Sequence, residues 1–202
     1  MSNNASSRTP EEIFREHGGM MRMSQAMEAG MSRYRLYSLR DLGVVEEVSR
    51  GVYRLTELPA ITHVDLVTVA LRYPGAVICL LSSLAFHEMT TQVPHQVHVA
   101  VSRRMRLPAL EFPPVAAHRF SEPAYTAGVQ KHRLDGVEVQ IYDPEKTLVD
   151  CFKFRNKLGM DVVQEALRFY RERKSVDLPA ILRFARICRV ERQMHPYLEA
   201  LL

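Results

Sequence analysis

The spacing of apolar and polar residues near the start of the chain predicts two short helices. The first begins with Thr9 as its cap and Pro10 at its first position, and Gly18-Gly19 end it. The second covers the segment MRMSQAMEAG and ends at Gly30. The polar residues that precede them, 1–7, have no apolar run and are interpreted as a frayed tail.

A third helix, RYRLYSLRDL, is predicted between the cap Ser32 and Gly43. Only Gly30-Met31-Ser32 joins it to the second helix, and a tight glycine-containing turn between two short helices is the helix-turn-helix pattern. At 100° per residue, one side of this helix carries Leu36, Leu39 and Leu42, and Met31 is expected to close the turn. The opposite side and the flanks carry Arg33, Tyr34, Arg35, Tyr37, Ser38, Arg40 and Asp41.

The polar side of the third helix has the chemistry of a DNA-recognition helix. Arginine offers a planar fork for guanine or phosphate, and tyrosine and serine hydroxyls reach phosphates and base edges. Base contacts usually arise from the N-terminal half of such a helix, where Arg33 and Tyr34 lie.

A β-hairpin of about twelve residues is predicted directly after the third helix. Its turn is Ser49-Arg50-Gly51, where glycine can adopt a positive φ, and Val52, Tyr53 and Leu55 would attach it to the core. A hairpin that follows a recognition helix is a wing, whose tip lies beside the phosphate backbone or in the minor groove. Arg50 therefore has an electrostatic use at that tip.

The rest of the chain alternates between helical and strand patterns. Helices are predicted for DLVTVALRY and for the apolar run AVICLLSSLAFHEM, a half-buried strand for HQVHVAVS, a strand for AAHRFS and a hairpin for HRLDGVEVQIYD. Asp143-Pro144-Glu145 is a helix start, and four helical segments follow it. The predicted fold class is α+β: an N-terminal winged helix-turn-helix domain, residues 1–58, and a C-terminal mixed domain, residues 59–202, with a small sheet and a helical tail.

Charge and cysteine content narrow the function classes. The net charge is +4, yet residues 1–58 hold eight basic and eight acidic residues, so a nucleic-acid surface there must come from local placement of arginines. No apolar run approaches the ~18 residues of a membrane span. Cys79, Cys151 and Cys188 are far apart in apolar contexts, which predicts buried thiols in a reducing cytoplasm.

Candidate catalytic and metal-binding residues do not form a convincing set. Glu145 and Lys146 are adjacent at a helix start and point about 100° apart, unlike the acid and lysine of a nuclease. His95 and His98 fall on opposite faces of a strand, and His87 has no helical partner four residues on. Neither a glycine-rich phosphate loop nor a nucleophile elbow occurs. We therefore expect no enzyme activity, cofactor or metal.

The densest positive region lies near the C-terminus. A solvated helix surface is one interpretation, and a second phosphate-binding face, for flanking DNA or for tRNA, is the alternative hypothesis. The candidate residues of this second basic surface are Arg168, Arg171, Arg173, Lys174, Arg183 and Arg186, followed along the chain by Arg189 and Arg192.

Several strings resemble the AbiEi-type antitoxins of bacterial type IV toxin–antitoxin systems. They are SQAMEAGMSRYRLYSLRDLGVVEEVSRGVYRL in the first part, SSLAFHEMT in the middle, and IYDPEKTLVDCFKFRNKLGMDVVQEALRFY and VDLPAILRFARICRVERQMHPYLEALL near the end. The resemblance extends over nearly the whole chain after the N-terminal tail, and its most specific parts are RGVYRL and TLVD.

The resemblance implies a transcriptional repressor that binds inverted repeats in double-stranded operator DNA of its own promoter. It also implies a C-terminal domain that counters a nucleotidyltransferase-like toxin without forming a stable complex, in a protein that is not an enzyme. Matching positions implicate Arg33, Tyr34, Tyr37 and Arg50. With their neighbours, the predicted DNA-binding set is Ser32, Arg33, Tyr34, Arg35, Tyr37, Ser38, Arg40, Ser49, Arg50 and Gly51.

The expected assembly is a monomer or weak dimer that pairs on DNA, because dyad operators are read by two copies. The alternative function is a toxin-neutralising protein whose winged helix binds protein rather than DNA.

Overall fold

The computed structural model describes residues 8–59, 61–107 and 109–199. The polar N-terminal segment, predicted as a tail, lies outside these residues. The chain divides into two compact units: residues up to Pro74 together with Arg133–Glu138 form the first, and the remaining residues form the second. Helices and two separate sheets confirm the α+β class.

The first unit combines short helices with a three-stranded antiparallel sheet of order β1-β3-β2. Its elements are α1 (Pro10–Glu16), β1 (Met20–Arg22), α2 (Met23–Glu28), α3 (Arg33–Asp41), β2 (Val45–Ser49), β3 (Val52–Leu55) and α4 (Val64–Arg72). The helices α2 and α3 with the turn between them have the helix-turn-helix order that the sequence predicts.

The helix starts are set by side-chain caps. Thr9 caps α1 in a capping box with Glu12, and the Ser32 hydroxyl accepts a hydrogen bond from the Arg35 backbone N at 3.2 Å. Each cap satisfies a backbone donor that the first helical turn leaves unpaired. Both predicted starts are confirmed.

Two expectations for the first unit are wrong. Met21 and Arg22, predicted as the start of the second helix, form strand β1, because Met21 pairs with Tyr53 of β3 and is fully buried there. Leu42 is not in the core: it is 77% exposed at the C-cap of α3. At 100° per residue Leu42 lies 120° from Leu36, so the buried side of the helix ends at Leu39.

The core of the first unit joins its helices to its sheet. The side chains that meet there are Ile13, Phe14, Met21, Ala26, Met31, Leu36, Leu39, Val45, Tyr53 and Leu55. Met31, between the two helices, is 3% exposed, so the expected closure of the turn is confirmed. Burial of this cluster fixes α3 and the hairpin on one scaffold.

The second unit has a helical C-terminal part and a five-stranded mixed sheet, except for residues Arg133–Glu138 of the last two strands, which are grouped with the first unit. The sheet order is β6-β5-β4-β8-β7. The elements are β4 (Val77–Ile78), α5 (Leu80–Phe86), β5 (Val97–Ser102), β6 (Val115–Phe120), α6 (Glu122–Thr126), β7 (Val129–Leu134), β8 (Val137–Tyr142), α7 (Pro144–Lys153), α8 (Arg155–Leu158), α9 (Met160–Arg171), α10 (Leu178–Cys188) and α11 (Glu191–Glu199).

Two predictions for the second unit, one of a helix and one of a half-buried strand, need correction. The apolar run predicted as one helix begins with β4, whose Ile78 pairs with Val99 and Ile141 in the middle of the sheet. An apolar run that is buried on all sides has no period by which strand and helix can be distinguished. Strand β5 is buried on both faces from Val97 to Val101, not half-buried, since it is a central strand.

The first compact unit extends beyond the predicted domain 1–58. Helix α4 contacts β1 and β2, and Asp135 accepts hydrogen bonds from the backbone N atoms of Thr62 and His63. These contacts show which residues pack together, but they do not test whether either part of the chain folds by itself. The division into domains 1–58 and 59–202 therefore stays a prediction.

Candidate nucleic-acid interface

The N-terminal half of α3 presents its polar side chains to solvent. Arg33 and Arg35 are exposed, and Tyr34 is 82% exposed. Among the described residues, the Arg33 and Arg35 guanidinium groups have no hydrogen-bonded or ion-pair partner. The cap Ser32 uses a lone pair for the Arg35 backbone N, so its hydroxyl hydrogen is still available to a ligand. Two cations and two hydroxyl groups therefore lie at the start of one helix.

The second half of α3 is already engaged in local contacts. Both Nε and Nη2 of Arg40 donate to Asp41 Oδ1, at 3.0 and 2.9 Å, and the guanidinium lies 5.0 Å from the centre of the Tyr37 ring. Ser38 is half-buried. Beneath this surface, burial raises the pKa of the Tyr53 phenol, which stays protonated at neutral pH. The charge of Arg40 is partly neutralised, so the free positive charge of α3 is concentrated at its N-terminus.

The tip of the hairpin β2–β3 holds Arg50 in an exposed turn. Gly51 has φ +74°, and its backbone N donates to Glu47 Oε1 at 2.7 Å. The Gly51 carbonyl accepts from the backbone N of Met23 at 2.9 Å, which ties the turn to the start of α2. Ser49 is half-buried beside a register shift in β2. These hydrogen bonds fix the backbone on which Arg50 stands.

The acidic residues of the hairpin are also occupied. Glu46 lies 3.3 Å from Arg54 Nε, and Arg54 is 5% exposed. Arg54 also donates to the Leu58 and Pro59 carbonyls. Glu47 accepts a hydrogen bond from the backbone N of Gly51, so both glutamates of β2 have a local partner, and Glu46 is ion-paired. The positive charge at the start of α3 is thus less opposed than the residue count suggests.

Most of the predicted DNA-binding set is exposed, whereas Ser38, Ser49 and Gly51 are half-buried, and contacts with a ligand are not tested. Arg33, Tyr34, Arg35, Tyr37 and Arg50 are exposed, and the core holds α3 and the hairpin in one unit. Contacts of Ser32, Arg33, Tyr34, Arg35, Tyr37, Ser38, Arg40, Ser49, Arg50 and Gly51 with DNA stay a prediction.

Four residues of the predicted second basic surface line two openings, which have Glu172 in common. Arg168 and Arg171 line a groove of about 540 Å³ with Tyr197. Arg173 and Lys174 line another opening, of about 620 Å³, and Arg173 donates to the His87 carbonyl at 3.0 Å.

The two cations of α10 have their own neighbours. Arg186 pairs with Glu191 at 2.8 Å, and the Arg183 guanidinium lies 5.0 Å from the Phe184 ring centre. Nothing in these contacts joins Arg183 and Arg186 to the groove of Arg168. A single continuous phosphate-binding face formed by all six residues stays a prediction.

The residues weighed as a nuclease cluster have structural partners instead. Lys146 and Asp150 are both completely buried and form an ion pair within α7. Glu145 accepts a hydrogen bond from the Tyr170 hydroxyl at 2.6 Å. Asp143 caps α7 through the Lys146 backbone N, and burial raises the pKa of Asp143 to about 6. These side chains stabilise the start of a buried helix.

Two of the histidines weighed as metal ligands, His87 and His98, make internal hydrogen bonds. His87 Nε2 lies 2.7 Å from the Tyr142 carbonyl oxygen, and His98 Nδ1 lies 3.0 Å from His118 Nε2. Burial lowers the pKa of His118 to about 4. Within the described part of the chain, no group of three or more His, Cys, Asp or Glu side chains is placed to hold a metal ion. The three cysteines are buried thiols, as predicted.

Sequence reasoning missed one set of exposed arginines. Arg103, Arg104 and Arg106 lie in the connection between β5 and β6, in the string SRRMR. Three arginines within four residues indicate a possible anion-binding surface. These residues were not considered because they lie far along the chain from the predicted helix-turn-helix. Across the described ranges, no helix is both long and apolar enough for a membrane span.

Comparisons with known proteins agree with the arrangement of the first unit. A family described as "Transcriptional regulator, AbiEi antitoxin" matches residues 8–56, which include every element from α1 to β3. No curated protein matches the sequence. The crystal structure of the RV2827C protein from Mycobacterium tuberculosis is similar in fold, with a TM-score of 0.58 and 16% identity over 90% of this chain and 71% of that chain. Residues 8–56 are thus similar in sequence to the AbiEi antitoxin family of transcriptional regulators, and the chain is similar in fold to the mycobacterial protein.

Proposed function

We propose that the protein is a DNA-binding transcriptional repressor whose first unit is a winged helix-turn-helix. In this proposal α3 is the recognition helix, and the hairpin β2–β3 is the wing. The observation that carries the proposal is the pair of exposed arginines, Arg33 and Arg35, without acidic partners at the start of α3. The family match over residues 8–56 supports the regulatory class.

The roles of the side chains follow from their positions. Arg33 and Tyr34, on the first turn of α3, would reach base edges in the major groove, where arginine pairs with guanine O6 and N7. The helix N-terminus adds its own partial positive charge toward phosphate. Arg50, at the tip of the wing, would contact the phosphate backbone, a contact that supplies affinity rather than sequence preference.

The target in this proposal is an inverted repeat in the promoter of the protein's own operon. Two copies of the chain would read the two half-sites, because a dyad operator matches a two-fold arrangement of protein. The second unit would counter a nucleotidyltransferase-like toxin without a stable complex. The family description, which matches residues 8–56, supports an antitoxin role for the chain, and the assignment of that role to the second unit is part of the proposal.

The proposal assigns no catalytic reaction to the protein and places it in the cytoplasm, where its DNA target lies. The contacts of Lys146 with Asp150 and of Glu145 with Tyr170 support the first point, since each group already has a partner. The three buried free thiols are in keeping with a reducing compartment.

The experiment is a fluorescence-anisotropy titration of the full chain with duplex DNA from upstream of its own gene. A scrambled duplex of the same length measures non-specific binding. Arg33→Ala is expected to weaken binding to the operator roughly 5- to 150-fold and to change binding to the scrambled duplex much less. Arg50→Ala is expected to weaken binding to both duplexes. It should also lower the salt dependence of the binding constant by about 0.9 in log–log slope, the effect of one phosphate contact.

Arg15→Ala is the matched control. Arg15 is an exposed arginine of the same unit, but it pairs with Glu57 at 2.8 Å on α1. Arg15→Ala removes one positive charge, as Arg33→Ala and Arg50→Ala do, and is expected to leave operator affinity within about twofold of that of the parent chain. Unchanged affinity of both Arg33→Ala and Arg50→Ala, or an equal loss in Arg15→Ala, would contradict the proposed interface.

A second candidate, a winged helix that binds protein, is favoured by one observation. Leu42 is 77% exposed at the end of α3, and an exposed leucine suits a protein contact better than a phosphate contact. Leu42→Ser separates the two: it should leave DNA affinity unchanged if α3 reads DNA. Loss of toxin neutralisation by this variant, with no operator binding by the parent chain, would favour the second candidate.

A further inference from the structure

We propose that the connection between β5 and β6 binds single-stranded nucleic acid, with Arg103, Arg104 and Arg106 on its phosphates and Phe112 against a base. We call the described part of this connection, residues 103–107 and 109–114, the arginine loop. It belongs to the second unit, and the proposal is independent of operator binding by the first.

The charge of this region is strongly one-sided. Residues 93–121 contain four arginines and one acidic residue, Glu111. Arg103, Arg104 and Arg106 are all exposed, and among the described residues their guanidinium groups have no hydrogen-bonded or ion-pair partner. Most other arginines discussed above have an acid, a carbonyl or a ring beside them. Three unpaired guanidinium groups within four residues form a site for a polyanion.

The arginine loop is held in place at its basic end. Arg119, on β6, donates through Nη1 to the carbonyls of Arg103 and Met105, both at 3.1 Å. The Met105 side chain packs against Gly75, where a Cβ would lie 2.5 Å from its terminal methyl group. The backbone that carries the three cations is thus fixed by β6 on one side and by Met105 on the other. Binding would therefore lose less entropy than binding to a free loop.

An exposed aromatic ring lies at the other end of the arginine loop. Phe112 is 63% exposed, three residues before β6 begins. Because β5 and β6 are parallel, with Val97 opposite Val115 and Ser102 opposite Phe120, the loop runs back along the strands. Five residues at the strand rise span roughly 17 Å. The cations and the ring therefore mark two ends of a strip rather than a single point.

Single-stranded nucleic acid fits this strip better than a duplex or an acidic peptide. Its unpaired bases can stack on an aromatic ring, and guanidinium planes can both stack on bases and bind phosphates. A duplex offers no open base to Phe112, and an acidic peptide has no base to stack on it and no phosphate for the three guanidinium groups. The ligand class is thus a flexible strand of phosphates with unpaired bases, either RNA or DNA.

The test is an anisotropy titration of the full chain with dye-labelled 12-nucleotide oligouridine, with oligothymidine of the same length and with an unrelated duplex. Binding of at least one single strand more tightly than the duplex is the expected result. The variant R103A/R104A/R106A is expected to bind at least tenfold more weakly, with a salt slope lower by about 2, as loss of three contacts at ~0.7 each predicts. Oligouridine and oligothymidine distinguish an RNA ligand from a DNA ligand.

Phe112→Ala tests the stacking part separately. It is expected to weaken single-strand binding about fivefold or more without changing the salt slope, because it removes a ring but no charge. A full effect of the triple variant with no effect of Phe112→Ala would overturn the single-strand proposal, since charge alone would then explain the binding.

The control R8A/R15A/R72A removes three other exposed arginines that lie in none of the proposed nucleic-acid surfaces. It is expected to bind oligonucleotides as the parent does, and an equal loss would overturn the proposal as a general charge effect. Arg33→Ala is expected to leave oligouridine binding intact. Because operator and single-strand titrations use the same variants, failure of one proposal is visible independently of the other. Circular dichroism at 222 nm establishes that each variant is folded.

Discussion

Replacing Lys146 by methionine should destabilise the second unit more than any surface change. Lys146 and Asp150 have no exposed surface, and their charges meet one helical turn apart on α7. The ammonium group also lies 4.1 Å from the Tyr142 ring centre and 4.9 Å from that of Phe120. Lys146→Met fills a similar volume but leaves the Asp150 carboxylate without its counter-ion.

The magnitude follows from the loss of one partner of a buried pair. The remaining side-chain donor to Asp150 is the Cys188 thiol at 3.4 Å, and a thiol is a weak donor. Breaking a buried ion pair from one side costs about 3–5 kcal/mol. For a chain of this size, 1 kcal/mol corresponds to about 2–4 °C in Tm, so a fall of roughly 6–20 °C is expected.

The destabilisation should depend on pH. Burial raises the pKa of Asp150, and the Lys146 ammonium opposes that rise, so loss of Lys146 raises it further. Between the unfolded and the folded pKa, the folded variant binds more protons than the unfolded chain. Its free energy of unfolding therefore increases as the pH falls. The difference between parent and Lys146→Met should be smaller at pH 5 than at pH 7.

The assay is urea unfolding followed by circular dichroism, since the chain has no tryptophan. Lys146→Met/Asp150→Leu removes both charges and is expected to recover most of the loss, because an apolar pair needs no counter-ion. Lys153→Met, on the exposed side of the same helix, is the control and should change stability by less than about 0.5 kcal/mol. A Lys146→Met variant within 1 kcal/mol of the parent, or a double variant no better than the single one, would refute the reasoning.

Five further substitutions, at four residues, test the local structure by urea unfolding. Ser32→Ala removes the cap of α3 and should cost about 1 kcal/mol, whereas Ser32→Asp should keep stability but weaken DNA binding by adding an anion. Gly51→Ala should cost about 1–2 kcal/mol from its positive φ alone, and Gly18→Ala more, because its Cβ would lie 2.1 Å from the Gly136 carbonyl oxygen. Tyr170→Phe should cost about 1–3 kcal/mol, since the buried hydroxyl both donates and accepts.

Local signals in the sequence were sufficient where the physics is local. Caps predicted the starts of α1, α3 and α7, and the turns at Gly51 and Gly136 predicted both hairpins, because each signal acts on backbone groups within a few residues. The buried side of α3 followed from its period as far as Leu39. At Leu42 the period alone failed, since the end of the core depends on what packs there.

Strand partners were not predictable from the same signals. Met20–Arg22 is a strand because β3 offers it an unpaired edge, and Val77–Ile78 is one because β5 and β8 flank it. Both segments are too short to have a period of their own. Their conformation is set by residues tens of positions away in the chain, which no window of local sequence contains.

The local charge of the candidate site could not be predicted from the sequence either. Eight basic and eight acidic residues give residues 1–58 no net charge, so a count predicts no attraction for DNA. In the folded unit, Asp41 pairs with Arg40, Glu46 with Arg54 and Glu57 with Arg15. These ion pairs neutralise three carboxylates away from the start of α3. Among the described residues, Arg33 and Arg35 at that start have no acidic partners. A neutral sequence can thus fold into a locally cationic surface, and which arginines form it depends on pairings that only the tertiary structure determines.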